Sequence, residues 1–167
     1  MNNVELLKRL IDEAVKQMDM PSSEELARYL DAKGVPAPPC KKGDKLYKAF
    51  VITKEIVEYT CSSVEVRFED ERGYSASVYG VDAYGEKACF NHLEFEDSLF
   101  LTLEEALRCL CVDRDRMLDE YKEWLISEND AYGLKELEEE LEEVGDRGIV
   151  IKTMSHPEGV EYEYIRG

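Results

Sequence analysis

Positive charge is scarce in this chain of 167 residues. Lysine and arginine together number 21, against 38 aspartates and glutamates, and the formal net charge is −17. Binding to phosphates requires a positive surface, so this balance argues against a protein that binds DNA, RNA or anionic lipid by itself. The chain also lacks an apolar run near the roughly 18 residues of a membrane span, and its first residues lack the basic and apolar segments of a signal peptide. We therefore expect an intracellular protein without a membrane partner.

Combinations of residues that could form a catalytic site are scarce as well. The sequence has only two histidines, His92 and His156, and it has no glycine-rich phosphate loop. Cys89 lies three residues before His92, and on a strand that spacing points the two side chains to opposite faces. A cysteine–histidine nucleophile is therefore not expected. We expect a protein without catalytic residues and without a cofactor.

The cysteines are odd in number and irregularly spaced. This arrangement argues against a disulfide framework and favours free thiols in a reducing compartment. Cys109 and Cys111 form a single C-x-C motif, and residues two apart on a helix point in different directions, which is a poor start for a metal site. We therefore expect neither disulfides nor a bound metal. The five cysteines are Cys40, Cys61, Cys89, Cys109 and Cys111.

Apolar material is present in quantity. It makes up 44% of the chain, with 10 tyrosines and 5 phenylalanines, which is enough for a packed core. The spacing of apolar residues predicts an amphipathic helix over 3–18. Ser22 and Glu25 form a capping-box pattern that begins a second, short helix, and Gly34 is a natural end for it.

Residues 45–95 have the pattern of a sheet. Apolar and polar residues alternate there with a period near two, and turn sequences at 69–73 and 80–85 separate the segments. Four or five short strands at this spacing predict a small antiparallel barrel or a strongly bent sheet. The predicted strands cover 46–52, 56–61, 64–68, 74–79 and 88–90.

Helical patterns return after residue 100. Thr102 and Glu105 form a second capping box. The helical pattern then continues toward Leu125, with a break near Val112. The later predicted elements are a break over 129–133, a helix over 134–144 that ends at Gly145, and a hairpin of strands over 149–153 and 160–165.

Three segments carry patterns that occur together in one group of proteins. They read Leu-Ala-x-Tyr-Leu followed by Gly-Val at 26–35, Pro-Cys-Lys-x-Gly-Asp-x-x-Tyr at 39–47, and Phe-Leu-Thr-x-Glu-Glu-Ala at 100–106. With these segments the chain resembles small-barrel proteins of phages and prophages, most of them uncharacterised. The resemblance covers roughly residues 22–111, and it implies an SH3-like barrel, a phage or prophage origin and a place in the cytoplasm of a bacterial host. It supplies no functional residues, and such proteins usually end near Cys111.

Together these observations predict an α+β fold. It consists of N-terminal helices, a small antiparallel SH3-like barrel, acidic C-terminal helices and a terminal β-hairpin. We expect these segments to form one compact unit. Their boundaries are 1–38 for the N-terminal helical segment, 39–111 for the barrel with its closing helix, 112–146 for the acidic helical extension and 147–167 for the hairpin.

Negative charge is concentrated in the acidic extension. Residues 119–146 contain twelve acidic and two basic side chains, a net charge of −10. Leu134, Leu137, Leu141 and Val144 are spaced three, four and three residues apart, which aligns them in one apolar seam. The helix is either a solvated outer face packed on its own chain or a negative surface that competes with nucleic acid for a basic groove. The candidate partner-binding residues are Asp119, Glu120, Glu123, Glu136, Glu138, Glu139, Glu140, Glu142 and Glu143.

These features predict a non-catalytic phage or mobile-element protein that binds and inhibits a basic, nucleic-acid-binding defence protein of the host. The expected partner is a CRISPR effector nuclease, blocked by acidic mimicry of nucleic acid, as for an anti-CRISPR inhibitor. One alternative is an SH3-like adaptor or structural phage module without an inhibitory role. Another is an enzyme with dispersed acidic residues, such as Glu94, Glu96, Asp97, Asp113 and Asp115. A third is direct contact with nucleic acid through Lys41, Lys42, Lys45 and Lys48.

Overall fold

The computed structural model describes residues 9–13, 16–17, 22, 25, 28, 40–69, 73–95 and 97–162. Residues 9–13 and 16–17 are helical, and the rest of the helix predicted over 3–18 lies outside the described residues, as does Gly34. The first capping box is confirmed: the Ser22 amide donates to Glu25 Oε2 over 2.8 Å, and the Glu25 amide donates to Ser22 Oγ over 3.2 Å. In the described part of the chain, no helix is long and apolar enough to cross a membrane.

In the described part of the chain, seven strands form one sheet and helices pack beside it, so the predicted α+β class is confirmed. The strands are β1 (Lys45–Phe50), β2 (Glu55–Glu69), β3 (Gly73–Val81), β4 (Lys87–Asn91), β5 (Leu99–Phe100), β6 (Ile149–Lys152) and β7 (Val160–Tyr162). Along the main path, antiparallel neighbours follow the order β4-β3-β2-β1-β5. The terminal hairpin is present as β6 and β7, while residues 163–165 of its predicted second strand lie outside the described residues. Strand β6 joins the sheet by parallel pairing with β2.

The strands predicted over 56–61 and 64–68 are one continuous strand, β2, so the prediction of two strands is wrong. The register with β3 shifts between Cys61 and Ser63. Such a bulge interrupts the alternation of side chains without ending the strand. Within the described residues, no pairing joins β4 to β5. The sheet is therefore open, and the prediction of a barrel is corrected on this point.

The sheet contributes to two apolar clusters. Because successive side chains of a strand alternate between its faces, β1 supplies Leu46 to one cluster and Ala49 to the other. The first cluster includes Tyr59 and Phe90, whose rings meet edge to face with their centroids 5.1 Å apart. The second cluster includes Ala106 from the helix that follows β5. This second cluster fixes the helical part of the chain to the sheet.

Three α-helices follow the five-stranded path. They are α1 (Leu103–Arg108), α2 (Arg114–Ser127) and α3 (Ala131–Val144). The second capping box is confirmed, because Thr102 Oγ1 accepts a hydrogen bond from the Glu105 amide over 3.3 Å. The break expected near Val112 is a π-helical turn, Cys109–Asp113, which joins α1 directly to α2.

Helix α3 begins three residues earlier than the sequence predicts. Asp130 caps it by accepting a hydrogen bond from the Gly133 amide over 2.8 Å. The backbone amides of the first helical turn have no acceptor within the helix. A side chain that accepts from one of them stabilises the start of the helix, even when the amide belongs to glycine. The prediction that the break extends to Gly133 is therefore wrong. The predicted end at Gly145 is confirmed, and this residue has a positive φ of 52°.

Candidate functional site

Helices α2 and α3 form a helical hairpin, here called the acidic hairpin, whose apolar side packs on the same chain. Leu137 is 3% exposed and Val144 is 8% exposed, whereas Leu134 and Leu141, the other two residues of the predicted seam, are half-buried. This packing directs the other side of α3 to solvent. The apolar cluster under the hairpin contains Leu118, Leu125 and Leu137, with Val51, Ile52, Leu134 and Leu141 packed against it.

All the predicted partner-binding residues are exposed on the acidic hairpin. Glu120 pairs with Arg116 over 2.8 Å, and Glu139 pairs with Lys135 over 3.5 Å. Exposed ion pairs of this kind contribute only about 0–1 kcal/mol each. The hairpin therefore displays two helices of carboxylates whose charge is mostly uncompensated. On α2 these are Asp119, Glu120 and Glu123, and on α3 they are Glu136, Glu138, Glu139, Glu140, Glu142 and Glu143.

Arg114, the first residue of α2, attaches the hairpin to the sheet. The predicted strand over 46–52 ends at Phe50, because residues 51–54 form a turn. Arg114 Nε donates to Val51 O over 2.7 Å, and Arg114 Nη2 donates to Ile52 O over 3.3 Å. Burial lowers the pKa of the Arg114 guanidinium, which nevertheless stays charged at any physiological pH.

Two further basic side chains, Lys54 and Arg147, form hydrogen bonds between the turn after β1 and the loop after α3. Lys54 Nζ donates to the carbonyls of Gly145 and Arg147, each over 3.1 Å. The Arg147 guanidinium in turn donates to Thr53 O. We call Arg114, Lys54 and Arg147 the turn clamp, because together they join both ends of the acidic hairpin to the turn after β1. The sequence offers no local signal for the clamp, since its partners lie far apart in the chain.

An open apolar groove of about 410 Å³, here called the hairpin groove, lies between α2 and the turn after β1. Tyr121 lines it, and its ring stacks on that of Trp124 with centroids 5.8 Å apart and 14° between the ring planes. Trp124 is 54% exposed and Tyr121 is 41% exposed. Sequence reasoning missed this groove, although two aromatic residues three apart on an acidic helix were the available signal. The lining includes Phe50, Val51, Ile52, Met117, Tyr121 and Glu140.

The acidic residues of the enzyme alternative come together only in part: Asp97 and Asp113 line one open pocket of about 270 Å³, beside Arg108 and Arg116. Glu94 pairs with Lys48 over 3.2 Å, and Asp113 pairs with Arg116 over 3.6 Å. Glu96 lies outside the described residues. Among the residues that are described, no group of three or more histidines, cysteines or carboxylates could hold a metal ion. Among the described residues, Glu94, Asp97 and Asp113 of this alternative are therefore divided between that pocket and the ion pair of Glu94 with Lys48.

Two of the cysteines are poor nucleophiles at neutral pH. Burial raises the pKa of Cys40 to about 12 and that of Cys109 to about 11. The thiolate is the reactive form, so both side chains are protonated and inert. Cys40 Sγ and Cys61 Sγ lie 3.8 Å apart as free thiols, whereas Cys89 is a free thiol at the surface.

Alkylation of the native protein should reflect this difference. Iodoacetamide at neutral pH is expected to modify Cys89 first and to leave Cys40 and Cys109 unmodified until the chain unfolds, because the latter two are buried and protonated. Mass spectrometry of peptides after timed labelling measures the order, with a denatured sample as the control. Labelling of Cys109 as fast as Cys89 would contradict the burial described above.

The lysines at the start of the sheet do not form a continuous basic stripe. Lys45 and Lys48 are three residues apart on β1, so their side chains leave opposite faces of the sheet. Lys45 pairs over 3.4 Å with Glu58, which is only 4% exposed, and Lys48 pairs with Glu94. These two lysines therefore balance nearby acids. This arrangement weakens the alternative of direct contact with nucleic acid.

The protein alone is expected not to bind duplex DNA at physiological salt. Its negative field repels phosphates, and two of the four clustered lysines are already paired. An electrophoretic mobility-shift assay at low micromolar protein measures this. A shift that disappears when Lys41 and Lys42 are replaced by alanine would overturn the expectation and favour the lysine cluster.

Comparison with known proteins gives no relative from which a function could be inferred. No protein-family model, curated protein or solved structure matches this chain. Function is therefore inferred from the chain's own residues: the exposed carboxylates of the acidic hairpin, the turn clamp that holds it, and the groove beside it.

Proposed function

We propose that this protein is a non-catalytic inhibitor from a phage or mobile element that occupies the basic, nucleic-acid-binding groove of a host defence protein. A CRISPR effector nuclease is the partner that this proposal names. The observation that carries it is the acidic hairpin: its leucine cluster is buried on the same chain, and all nine candidate carboxylates remain exposed.

The spacing of the carboxylates suits a groove that normally holds a phosphate backbone. A helix rises about 1.5 Å per residue, so carboxylates four apart on α3 recur about every 6 Å along one row. Lysine and arginine side chains that line such a groove would meet these rows in place of phosphates. Charge-assisted hydrogen bonds between guanidinium and carboxylate groups are about twice as strong as neutral ones.

The attachment of the hairpin also supports this proposal. Helices held by a buried leucine cluster and by the turn clamp need little ordering when a partner binds. Preorganisation of this kind raises affinity because less conformational entropy is lost on association. Strong charge complementarity makes association fast and dependent on salt.

Cleavage of target DNA by a purified RNA-guided nuclease tests the proposal. The protein is expected to inhibit when it is added before the DNA and to lose potency when the DNA is bound first, because both ligands use one groove. Inhibition should weaken as salt rises, and excess duplex should restore cleavage. Failure to inhibit nucleases of several CRISPR types, or inhibition that excess DNA cannot relieve, would contradict nucleic-acid mimicry.

The second candidate function is an SH3-like adaptor or structural phage module. It is favoured by the antiparallel path β4-β3-β2-β1-β5, in which a 3-10 turn over His92–Glu94 precedes the short last strand. An adaptor would bind through the sheet. Its affinity for a partner would therefore not depend on the charges of the acidic hairpin, and a salt titration of binding separates the two functions.

A further inference from the structure

We propose that the hairpin groove receives an arginine side chain from the basic partner, so that the acidic hairpin has one specific anchor point within its diffuse negative surface. This inference rests on the proposed function, and it specifies which side chain of the partner contacts the hairpin groove. Three features lead to it: the apolar floor of the groove, the lining residue Tyr121 stacked on Trp124, and the lining carboxylate of Glu140.

The floor of the groove suits the aliphatic stem of a long side chain. Val51, Ile52 and Met117 line it, and Tyr121 adds the edge of its ring. Arginine buries its methylene groups along such apolar surface while its charged end stays near polar atoms. A volume of about 410 Å³ that is open to solvent accommodates a side chain inserted from outside.

The aromatic pair supplies a face for the guanidinium. Tyr121 and Trp124 stack with nearly parallel planes and remain substantially exposed, although aromatic side chains usually bury their rings. A cation over the face of tryptophan or tyrosine is attracted by the ring quadrupole. Tryptophan, tyrosine and arginine are also the residues that most often dominate binding energy at protein interfaces.

The position of Glu140 completes the anchor. Glu140 lines the groove, whereas Glu138 lies about 160° away around the axis of the same helix. Both side chains are exposed and carry the same charge. A guanidinium on the aromatic pair can donate two hydrogen bonds to a carboxylate, whereas a lysine ammonium has no planar face to stack. The groove should therefore prefer arginine to lysine.

Trp124 allows a direct test, because it is the only tryptophan of the chain. The full-length protein is titrated with three short peptides of identical length that combine leucine with arginine, with lysine or with neutral citrulline, and tryptophan emission is recorded. The arginine peptide is expected to change the emission and to bind at least about fivefold more tightly than the lysine peptide. The citrulline peptide is expected not to bind. Equal affinities for arginine and lysine would overturn the proposal.

Two matched variants separate the anchor from general electrostatics. Glu140→Gln is expected to weaken binding of the arginine peptide by about tenfold, and Glu138→Gln by no more than about twofold, because only Glu140 faces the groove. Tyr121→Leu keeps the groove apolar and is expected to reduce the preference for arginine over lysine to less than about twofold. If Glu140→Gln and Glu138→Gln weaken binding equally, the carboxylates act as a diffuse field and the anchor is refuted.

Other occupants of the groove give different results. If a second copy of the chain fills it, tryptophan emission changes on dilution and sedimentation shows a dimer, which overturns the proposal. If another part of the same chain covers it, emission is independent of both dilution and peptide, which overturns it as well. Failure of the anchor is distinguishable from failure of the proposed function: nuclease inhibition that persists without any preference for arginine removes only the anchor and leaves mimicry intact.

Discussion

Replacing Glu138, Glu139, Glu142 and Glu143 together with glutamine should weaken nuclease inhibition by at least about tenfold and leave the melting temperature unchanged or raised. These side chains are exposed, and exposed substitutions usually change stability by no more than about 0.5 kcal/mol each. Relief of repulsion between like charges four apart favours the helix slightly. A desolvated pair with an arginine or lysine of the partner is worth several times more. Inhibition curves at two salt concentrations and thermal unfolding measure both effects.

A matched control separates local placement from total charge. A second quadruple variant removes four exposed carboxylates outside the hairpin and makes the net charge less negative by the same amount. It is expected to inhibit within about threefold of the parent, because screening limits the reach of exposed charges to about 10 Å. Equal losses in both variants would show that net charge alone matters, and no loss in either would mean that the acidic hairpin is only a solvated face. The control positions are Glu86→Gln, Asp97→Asn, Glu104→Gln and Glu158→Gln.

The second large effect is expected from Leu137→Ala, which should lower the free energy of unfolding by about 2–5 kcal/mol. Leu137 is 3% exposed in the cluster that joins α3 to α2, so its truncation leaves a cavity that rigid neighbours cannot fill. Urea unfolding followed by the emission of Trp124 measures the loss. Leu134→Ala, at a half-buried position of the same seam, is the control and should cost less. A loss below about 1 kcal/mol for Leu137→Ala would mean that the hairpin packs loosely.

Local chemistry explains which parts of the fold the sequence predicts well. The capping pairs Ser22 with Glu25 and Thr102 with Glu105 lie within one helical turn, and the structure shows hydrogen bonds in both. The seam that includes Leu137 is equally local, because a period of three and four residues needs no distant partner. Elements of this kind depend only on neighbours in the chain.

The predictions that were wrong concern features set by long-range strand pairing or by a competing local signal in the sequence. The continuity of β2 through the bulge after Cys61 is set by pairing with β3, and strand pairing is invisible in a single segment. The start of α3 was obscured because Gly133 resembles a break, while the decisive residue is its acceptor, Asp130. An open rather than closed sheet likewise depends on whether the first and last strands of the path meet.

The site was predictable in composition and not in geometry. The concentration of acidic residues over 119–146 locates the charged surface from the sequence alone. The hairpin groove forms only because the turn after Phe50 lies beside Tyr121. The turn clamp likewise depends on the contact of Arg114 with Val51, which lies 63 residues earlier in the chain. Contacts at such separations leave no periodic signal in the sequence.

The turn clamp also determines which cations accompany the acidic hairpin in solution. Arg114 and Lys54 direct their charged groups to backbone carbonyls of the turn and of the loop after α3, and not to the glutamates of α3. Glu120 and Glu139 pair with cations of their own helices, and the hairpin gathers mobile counter-ions from the solvent for the rest of its negative charge. A basic partner that docks there sets those ions free, as nucleic acid does when a protein displaces its ion atmosphere. Association should therefore gain entropy from ion release, and an acidic face neutralised by its own arginines would forgo that gain.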